Sequence, residues 1–282
     1  ISNPVQPLLL SSEFDGGTVS VSYNNSMDNR FLAQSQFYRP AASKKLANQN
    51  LTGLTNYPDY IVVTSPIFLS YAQELAAYRA QDGLIPLVVT QEQILNEFSG
   101  GAKDPSAIRD FMKFLWDRAL ADGEPAPKYL LLYGDTTYDT KNITENAFVN
   151  YVLTWESPES INRIGSYGSD DYFGFMDDGE GAFTAGSRID IGVGRIPSQN
   201  HREARILLDK IYTYESPASA GDWQNLITFV GDDDFPDRIA NRDLHVWNAD
   251  GTADRMKISD NGLRLKKIYL FDYKEEITGA GR

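Results

Sequence analysis

The spacing of hydrophobic positions changes near residue 56, and the change predicts two kinds of structure along the chain. Before that point, short apolar runs are separated by pairs of glycine or asparagine, which is typical of antiparallel strands joined by turns. We predict two or three such strands, at Val5–Leu10, Thr18–Tyr23 and Phe31–Tyr38. Residues 1–50 are then the end of a β-rich domain and its connector, and we expect the start of that domain to lie outside the sequence.

Beyond residue 56, continuous apolar runs alternate with segments whose apolar residues recur at helical spacing. Thr90 is followed three residues later by Gln93, the pattern of a capping box, and Asp104 with Pro105 predicts another helix start. Strands joined in succession by helices form a parallel sheet with helices on both faces. The fold class is therefore α/β, an α/β/α sandwich with a mostly parallel sheet over residues 58–215. The predicted strands are Tyr60–Thr64, Ile85–Val89, Tyr129–Tyr133 and Ile189–Val193, and the predicted helices are 69–80, 91–98, 104–123 and 203–214.

A linker of small residues at 216–221 separates this unit from a second one. Leu226–Val230 and Lys267–Phe271 are predicted strands, and a helix is predicted within Ile239–Met256. One strand–helix–strand unit cannot cover both faces of its own sheet. We therefore expect residues 222–282 to be the start of a second subdomain that continues beyond the sequence.

The segment from Gly134 to Gly186 is long, polar and rich in glycine, with hairpins predicted only around Tyr151–Trp155 and Tyr172–Phe175. It follows the carboxyl end of a parallel strand, where α/β folds build their sites. Asp135 lies at the start of this segment. Two roles are open for it, that of a catalytic acid and that of a residue that forms a turn by capping backbone amides.

Charge and the lack of cysteine exclude several classes of function. The sequence has 26 basic and 39 acidic residues and a net charge of −13, which disfavours a nucleic-acid phosphate backbone as partner. It contains no cysteine, which excludes disulfides, thiolate metal sites and a cysteine nucleophile within these 282 residues. No apolar run approaches the roughly 20 residues that a transmembrane helix needs.

Two acidic segments are candidate binding sites. Five acidic residues fall within Ser169–Glu180, and hard oxygen ligands on a flexible loop suit calcium. For Asp170 and Asp171, calcium binding and simple solvation are both open, whereas solvation is favoured for Asp177 and Asp178. The run Asp232–Asp234 follows a predicted strand and suits a cation, a basic substrate side chain or plain exposure.

The two histidines, His201 and His245, are candidate general bases. Neither has a cysteine or a glycine-framed serine to activate, because the sequence holds no cysteine and no Gly-x-Ser-x-Gly pattern. We interpret both histidines as structural or solvated. The sequence also lacks a P-loop and the glycine pattern of dinucleotide-binding folds.

Eight short motifs follow one another along the chain. They are Asn48–Leu51, Asp59–Pro66, Gly83–Thr90, Ile94–Gly100, Asp104–Asp110, Tyr129–Asp135, Ser169–Gly174 and Gly194–Pro197. Taken in this order, they resemble those of gingipain-type cysteine peptidases. The resemblance covers about residues 31–282 and implies a caspase-like fold with two adjacent α/β/α subdomains. Residues 58–215 are then the first subdomain, and residues 222–282 open the second.

In this family the catalytic histidine lies in a Gly-His-Gly turn and the cysteine follows a later strand, and neither motif is present in this chain. The resemblance therefore assigns no catalytic residue here, and His245 does not match. It implies structural calcium and substrate contacts at acidic positions. The implied calcium ligands are Asp170, Asp171 and Asp190, and the implied substrate-binding residues are Asp232, Asp233 and Asp234.

Within the family, the motifs are most similar to those of the sortase of the bacterial type IX secretion system. That similarity implies a peptidase that removes C-terminal sorting signals from cargo proteins and attaches the shortened cargo proteins to the cell surface. It also implies contact with the outer-membrane secretion complex of a Gram-negative, Bacteroidetes-type bacterium. We expect the chain alone to be inactive. Two alternatives are open, a secreted gingipain-like protease of general activity and a non-catalytic relative that serves as a binding or assembly module.

Overall fold

The computed structural model describes residues 12–15, 18–21, 45–46, 49–140, 149–158, 162, 165–181, 186–232, 244–259 and 262–273. The chain divides into two compact units, residues 1–48 and residues 49–282. The first unit contains strands β1 (Ser12–Asp15) and β2 (Thr18–Val21), which pair in antiparallel orientation. The predicted strands Val5–Leu10 and Phe31–Tyr38 lie outside the described residues.

The second unit alternates strands and helices. Its elements are, in chain order, β3 (Tyr60–Thr64), α1 (Leu69–Ala80), β4 (Pro86–Thr90), α2 (Gln91–Phe98), α3 (Ser106–Asp122), β5 (Tyr129–Tyr133), β6 (Trp155–Glu156), β7 (Gly168–Ser169), β8 (Gly192–Ile196), α4 (His201–Glu215), β9 (Leu226–Gly231), α5 (Leu244–Ser259) and β10 (Arg264–Tyr269). Four strands form a parallel sheet in the order β4-β3-β5-β8. This arrangement confirms the predicted α/β class with a mainly parallel sheet.

Helices cover both faces of the four-stranded sheet. Ile61 and Val63 of β3 are buried in one cluster with residues of α2 and α3, whereas Tyr60 and Val62 are buried in another with residues of α1 and α4. Every residue of β3 is buried, which explains its continuous apolar sequence. Within the described part of the chain, no helix is long and apolar enough to cross a bilayer.

The direction in which the chain moves across the sheet reverses at β3. Helix α1 leads from β3 to β4 on one side, and α2 with α3 leads back past β3 to β5 on the other. The carboxyl ends of β3 and β5 are therefore neighbours, with Thr64 paired to Tyr133. In open α/β sheets, ligands bind at such a switch point, outside the carboxyl ends of the strands.

Side chains fix the starts of three helices. The predicted capping box is present: Gln93 N donates to Thr90 Oγ1 at 3.4 Å, and Thr90 N donates to Gln93 Oε1 at 2.9 Å. Ser106 N donates to Asp104 Oδ1 at 2.9 Å, so Asp104 caps the start of α3 as its sequence position predicts. Asn200 caps α4 by accepting the backbone N–H three residues on.

The edge strand β8 begins at Gly192 and not at Ile189 as predicted. Asp190 lies outside the ladder: its backbone N donates to Gly174 O at 2.9 Å, and its carboxylate accepts from Met176 N at 2.7 Å. The alternation of isoleucines before Gly192 therefore reflects contact with the insertion rather than strand pairing.

The predicted hairpin around Tyr172–Phe175 is also wrong. Residues Asp171–Gly174 form a 3-10 turn, with Tyr172 and Phe173 both buried. A short aromatic run does not separate a strand from a turn by periodicity. The antiparallel pairing in this region is instead between β6 and β7.

Strands β9 and β10 form a separate two-stranded parallel sheet. Helix α5 covers one of its faces, where Lys267 Nζ donates to Asp254 Oδ1 at 3.1 Å and Tyr269 OH donates to Asp250 Oδ1 at 2.9 Å. On β9, Val230 is 72% exposed.

Candidate functional site at the carboxyl edge of the sheet

The backbones that leave β5 and β8 stay paired beyond the strands. Gly134 N donates to Ile196 O at 2.9 Å, and Asp135 N donates to Ser198 O at 3.0 Å. Gly134 has φ +144°, and a Cβ built on it would lie 2.8 Å from Tyr151 Cβ. Only glycine therefore lets the insertion pass directly against the end of β5.

The carboxylate of Asp135 joins a turn to a neighbouring loop. Its Oδ1 accepts from Thr136 N at 2.9 Å, and its Oδ2 accepts from Gln199 Nε2 at 2.6 Å. The backbone oxygen of Asp135 accepts from Tyr151 N at 3.0 Å and from Val152 N at 3.3 Å. These contacts favour the turn-forming role over that of a catalytic acid.

A buried amide at the start of α2 holds the same stretch of the insertion. Gln91 is 7% exposed, and its Oε1 accepts from Leu153 N at 2.6 Å. Tyr151 OH donates to Gln199 O at 2.8 Å, and the Tyr151 ring lies 4.9 Å from that of Phe68. Residues 151–153 are thus bound from two sides.

Arg195, near the end of β8, has a side chain that is only 11% exposed. Its guanidinium donates to both carboxylate oxygens of Asp170, from Nε to Oδ2 at 2.7 Å and from Nη2 to Oδ1 at 2.8 Å. Nη1 donates to Gly134 O at 2.8 Å and to Val152 O at 2.9 Å, and Nη2 donates to Leu153 O at 3.1 Å. One side chain therefore connects β8, the end of β5, the insertion and the Asp170 turn.

The predicted calcium ligands do not meet at one point. Both oxygens of Asp170 are bound by a guanidinium, and the carboxylate oxygens of Asp170, Asp171 and Asp190 are not grouped within 4.8 Å of one another. Asp190 lies instead with Asp177 and Glu180, whose oxygens do come within that distance. Calcium binding at the predicted residues stays a prediction.

The predicted substrate-binding run lies at the carboxyl end of β9. Asp232 follows the strand directly and is exposed, whereas Asp233 and Asp234 lie outside the described residues. Of the histidines, His201 is exposed in the first turn of α4, with its ring 5.8 Å from that of Tyr71. His245 is exposed on α5.

Glu156, on β6, is a carboxyl group of this edge whose pKa is raised by its surroundings. Burial raises the pKa of Glu156, and the charge of the neighbouring Asp139 raises it further. Glu156 Oε1 is a buried oxygen without a hydrogen-bond partner among the described residues. The group therefore favours the protonated state more than an ordinary glutamate does.

The layered parallel sheet, its reversal at β3 and the loops at its carboxyl edge define an α/β domain of the kind found in caspase-like peptidases. The family model of peptidase family C25 matches residues 54–282. The chain belongs to this family, the gingipain family of cysteine peptidases, which confirms the resemblance inferred from the motifs.

Among solved structures, the chain is similar to dimeric latent PorU from Porphyromonas gingivalis, with 38% sequence identity and a TM-score of 0.55. That match covers 64% of this chain and 17% of PorU, so the chain spans about a sixth of that protein. The Arg-specific cysteine proteinase gingipain R (RGPB) matches with 15% identity and a TM-score of 0.50, covering 80% of this chain and 44% of gingipain R, a likeness of fold alone. No curated protein sequence matched the chain.

Proposed function

We propose that this chain forms the first part of the catalytic region of a type IX secretion sortase, which removes C-terminal sorting signals from cargo proteins. The observation that carries the proposal is the 38% identity to PorU over 64% of the chain, against 15% for gingipain R. Action at the outer face of the outer membrane of a Bacteroidetes-type bacterium, in contact with the secretion complex, is part of the same proposal.

In the proposed reaction a cysteine thiolate attacks the carbonyl carbon of the scissile peptide, and a neighbouring histidine gives a proton to the departing amine. The resulting thioester is then attacked by water or by an amine of a surface lipopolysaccharide, which regenerates the thiol. The 282 residues of this chain include no cysteine, so the nucleophile is assigned to a part of the natural protein outside them. The chain alone is accordingly proposed to be inactive, and to supply scaffold and one side of the substrate cleft.

The exposed position of Asp232 supports a role in substrate binding. It lies at the carboxyl end of a parallel strand, where a bound peptide reaches the loops of an α/β fold. A carboxylate there accepts hydrogen bonds from peptide N–H groups or pairs with a basic side chain. We extend the same role to Asp233 and Asp234.

Structural calcium is a further part of the proposal, and the contacts of the described residues favour some carboxylates over others as its ligands. Asp170 is already neutralised by a guanidinium, whereas Asp190, Asp177 and Glu180 offer hard oxygen ligands at one place. We expect calcium measured by mass spectrometry after gel filtration to be lost in Asp190→Asn and kept in Asp170→Asn. Loss only in Asp170→Asn would contradict this assignment.

The test of the proposed function compares the chain with the longer natural protein that contains it. Each is incubated with a cargo protein that carries a C-terminal sorting signal and with casein, and the products are mapped by mass spectrometry. We expect the longer protein to cut the cargo only before its signal, and the 282-residue chain to cut neither. Cleavage of casein at many sites indicates the general secreted protease, and no cleavage of either protein indicates a non-catalytic relative.

A further inference from the structure

The structure assigns Arg195 a role beyond the strand in which it lies. We propose that Arg195 is a positioning residue that holds the buried base of one wall of the substrate cleft, where residues 152–154 are at most 9% exposed and residues 151–154 lie against the turn at Asp170. The inference rests on the proposed function, since it takes the carboxyl edge of this sheet as a side of the cleft.

All N–H donors of the Arg195 guanidinium have hydrogen-bond acceptors. Its five N–H groups make five hydrogen bonds, two to Asp170 and one each to the backbone oxygens of Gly134, Val152 and Leu153. Because the fork is planar and rigid, it sets the directions of all three backbone carbonyls at once. Lysine offers only three donors on one freely rotating atom, so it cannot reproduce this arrangement.

Asp170, the ion-pair partner of Arg195, also binds residues 151–154 through Thr154. Asp170 Oδ1 also accepts from Thr154 Oγ1 at 2.9 Å, so the wall is tied to Asp170 at a third residue. A buried guanidinium is costly without a paired carboxylate, and here the two side chains are 11% and 25% exposed. The pair is therefore built into the fold and is not an exposed surface ion pair.

The sheet itself does not depend on this side chain. Strands β5 and β8 pair through their backbones, from Tyr129 opposite Gly192 to Tyr133 opposite Ile196. A change of the Arg195 side chain leaves these groups in place. It is therefore expected to release the wall while the sheet stays formed, which distinguishes positioning from a role in folding.

The first arm of the test is hydrogen exchange on the 282-residue chain, followed by mass spectrometry. In Arg195→Lys, we expect the amides of Val152 and Leu153 to exchange about tenfold faster or more, while the amides of β3 keep their rates. Thr154→Val, which removes one bond to Asp170 and keeps the side-chain shape, is expected to have a smaller effect in the same segment. The matched control is Arg205→Lys, since Arg205 also forks a carboxylate, that of Glu74, but on the outer surface of α1 and α4.

The second arm measures cargo cleavage by the longer natural protein. A loosened wall weakens binding more than chemistry, so we expect Arg195→Lys to raise KM about tenfold and to change kcat by less than about twofold. Arg205→Lys should change neither constant. Equal acceleration of exchange in β3 and in residues 151–154, unchanged exchange in both, or an unchanged KM would each overturn the proposal. If the longer protein does not cut cargo at all, the proposed function fails, and the exchange arm still decides whether Arg195 positions the loop.

Discussion

Asp59 organises the amino edge of the sheet, opposite the candidate site, and its replacement by alanine should be costly. The residue is 5% exposed, and its Oδ1 accepts from Ile85 N at 2.7 Å while its Oδ2 accepts from Lys128 Nζ at 2.9 Å. A hydrogen bond to a charged group contributes about 1.5–3 kcal/mol. Since the Lys128 side chain is 56% exposed, the ion pair adds about 0–1 kcal/mol. We therefore expect Asp59→Ala to lower the free energy of unfolding by about 1.5–4 kcal/mol.

Urea denaturation followed by tryptophan fluorescence at pH 7 measures this cost, and two further variants assign it. Lys128→Met removes only the ion pair with the half-exposed lysine and keeps the Ile85 hydrogen bond, and it should cost at most about 1 kcal/mol. Asp82→Ala removes a carboxylate that is 59% exposed, and it should cost less than about 0.5 kcal/mol. An Asp59→Ala cost no larger than that of Asp82→Ala, or a Lys128→Met cost as large as that of Asp59→Ala, would refute this role for Asp59.

Three further predictions concern the core and two carboxyl groups. On α3, Phe111 is 0% exposed and Leu120 is 60% exposed. Phe111→Ala should therefore lower the free energy of unfolding, measured by urea denaturation, by about 3–5 kcal/mol, and Leu120→Ala by less than about 1 kcal/mol. Similar costs for the two variants would contradict the placement of Phe111 in the core. Burial raises the pKa of Glu97, but hydrogen bonds from Thr52 and Leu51 outweigh it, so the pKa is lowered overall. The contacts of the charged Glu97 carboxylate therefore stabilise the fold above its ordinary pKa of about 4.3, and this stabilisation is lost as the pH falls below that value. The difference in the free energy of unfolding between wild type and Glu97→Gln should accordingly shrink, and not grow, as the pH falls from about 5 to 3. Burial and the charge of Asp139 raise the pKa of Glu156, so the charged form that is populated at higher pH destabilises the fold. Glu156→Gln should therefore raise the free energy of unfolding at pH 7 and leave it unchanged near pH 3.5, and a loss of stability at pH 7 would contradict this.

The sheet could be predicted because its signals are local. Strands buried on both faces, such as Tyr60–Thr64, are continuous apolar runs, and the helices between them carry their own start signals, such as Thr90 with Gln93. Alternation of such elements leaves few possible topologies. Where the signal was ambiguous the prediction was wrong, as for the aromatic run Tyr172–Phe175.

The candidate site could be predicted only in part, because its contacts join residues that are distant in sequence. Arg195 binds partners 25 to 61 residues away, and Gln91 binds a backbone amide 62 residues away. Nothing near either residue in the sequence predicts these partners. The signal that was present is a charged residue near the end of an otherwise apolar strand, since such a residue needs a buried partner.

Composition is ambiguous at the acidic positions. Asp170 belongs to an acid-rich stretch of sequence and Asp190 is named by the family resemblance; both are predicted calcium ligands, but hydrogen bonds distinguish them. Asp170 is paired with a guanidinium, whereas one oxygen of Asp190 accepts a backbone N–H from Met176 and its carboxylate lies near other acids. Composition alone does not reveal which carboxylate already has a cationic partner.

Covalent labelling of the nucleophile tests the central claim most directly. The longer natural protein and the 282-residue chain are each treated with a thiol-reactive peptidyl ketone, digested, and searched for the modified residue by mass spectrometry. We expect one labelled cysteine in the longer protein, outside the 282 residues of this chain, and no label on the chain alone. A label on a residue within the 282, or a longer protein without any labelled cysteine, would contradict the assignment of this chain to the scaffold of a cysteine peptidase.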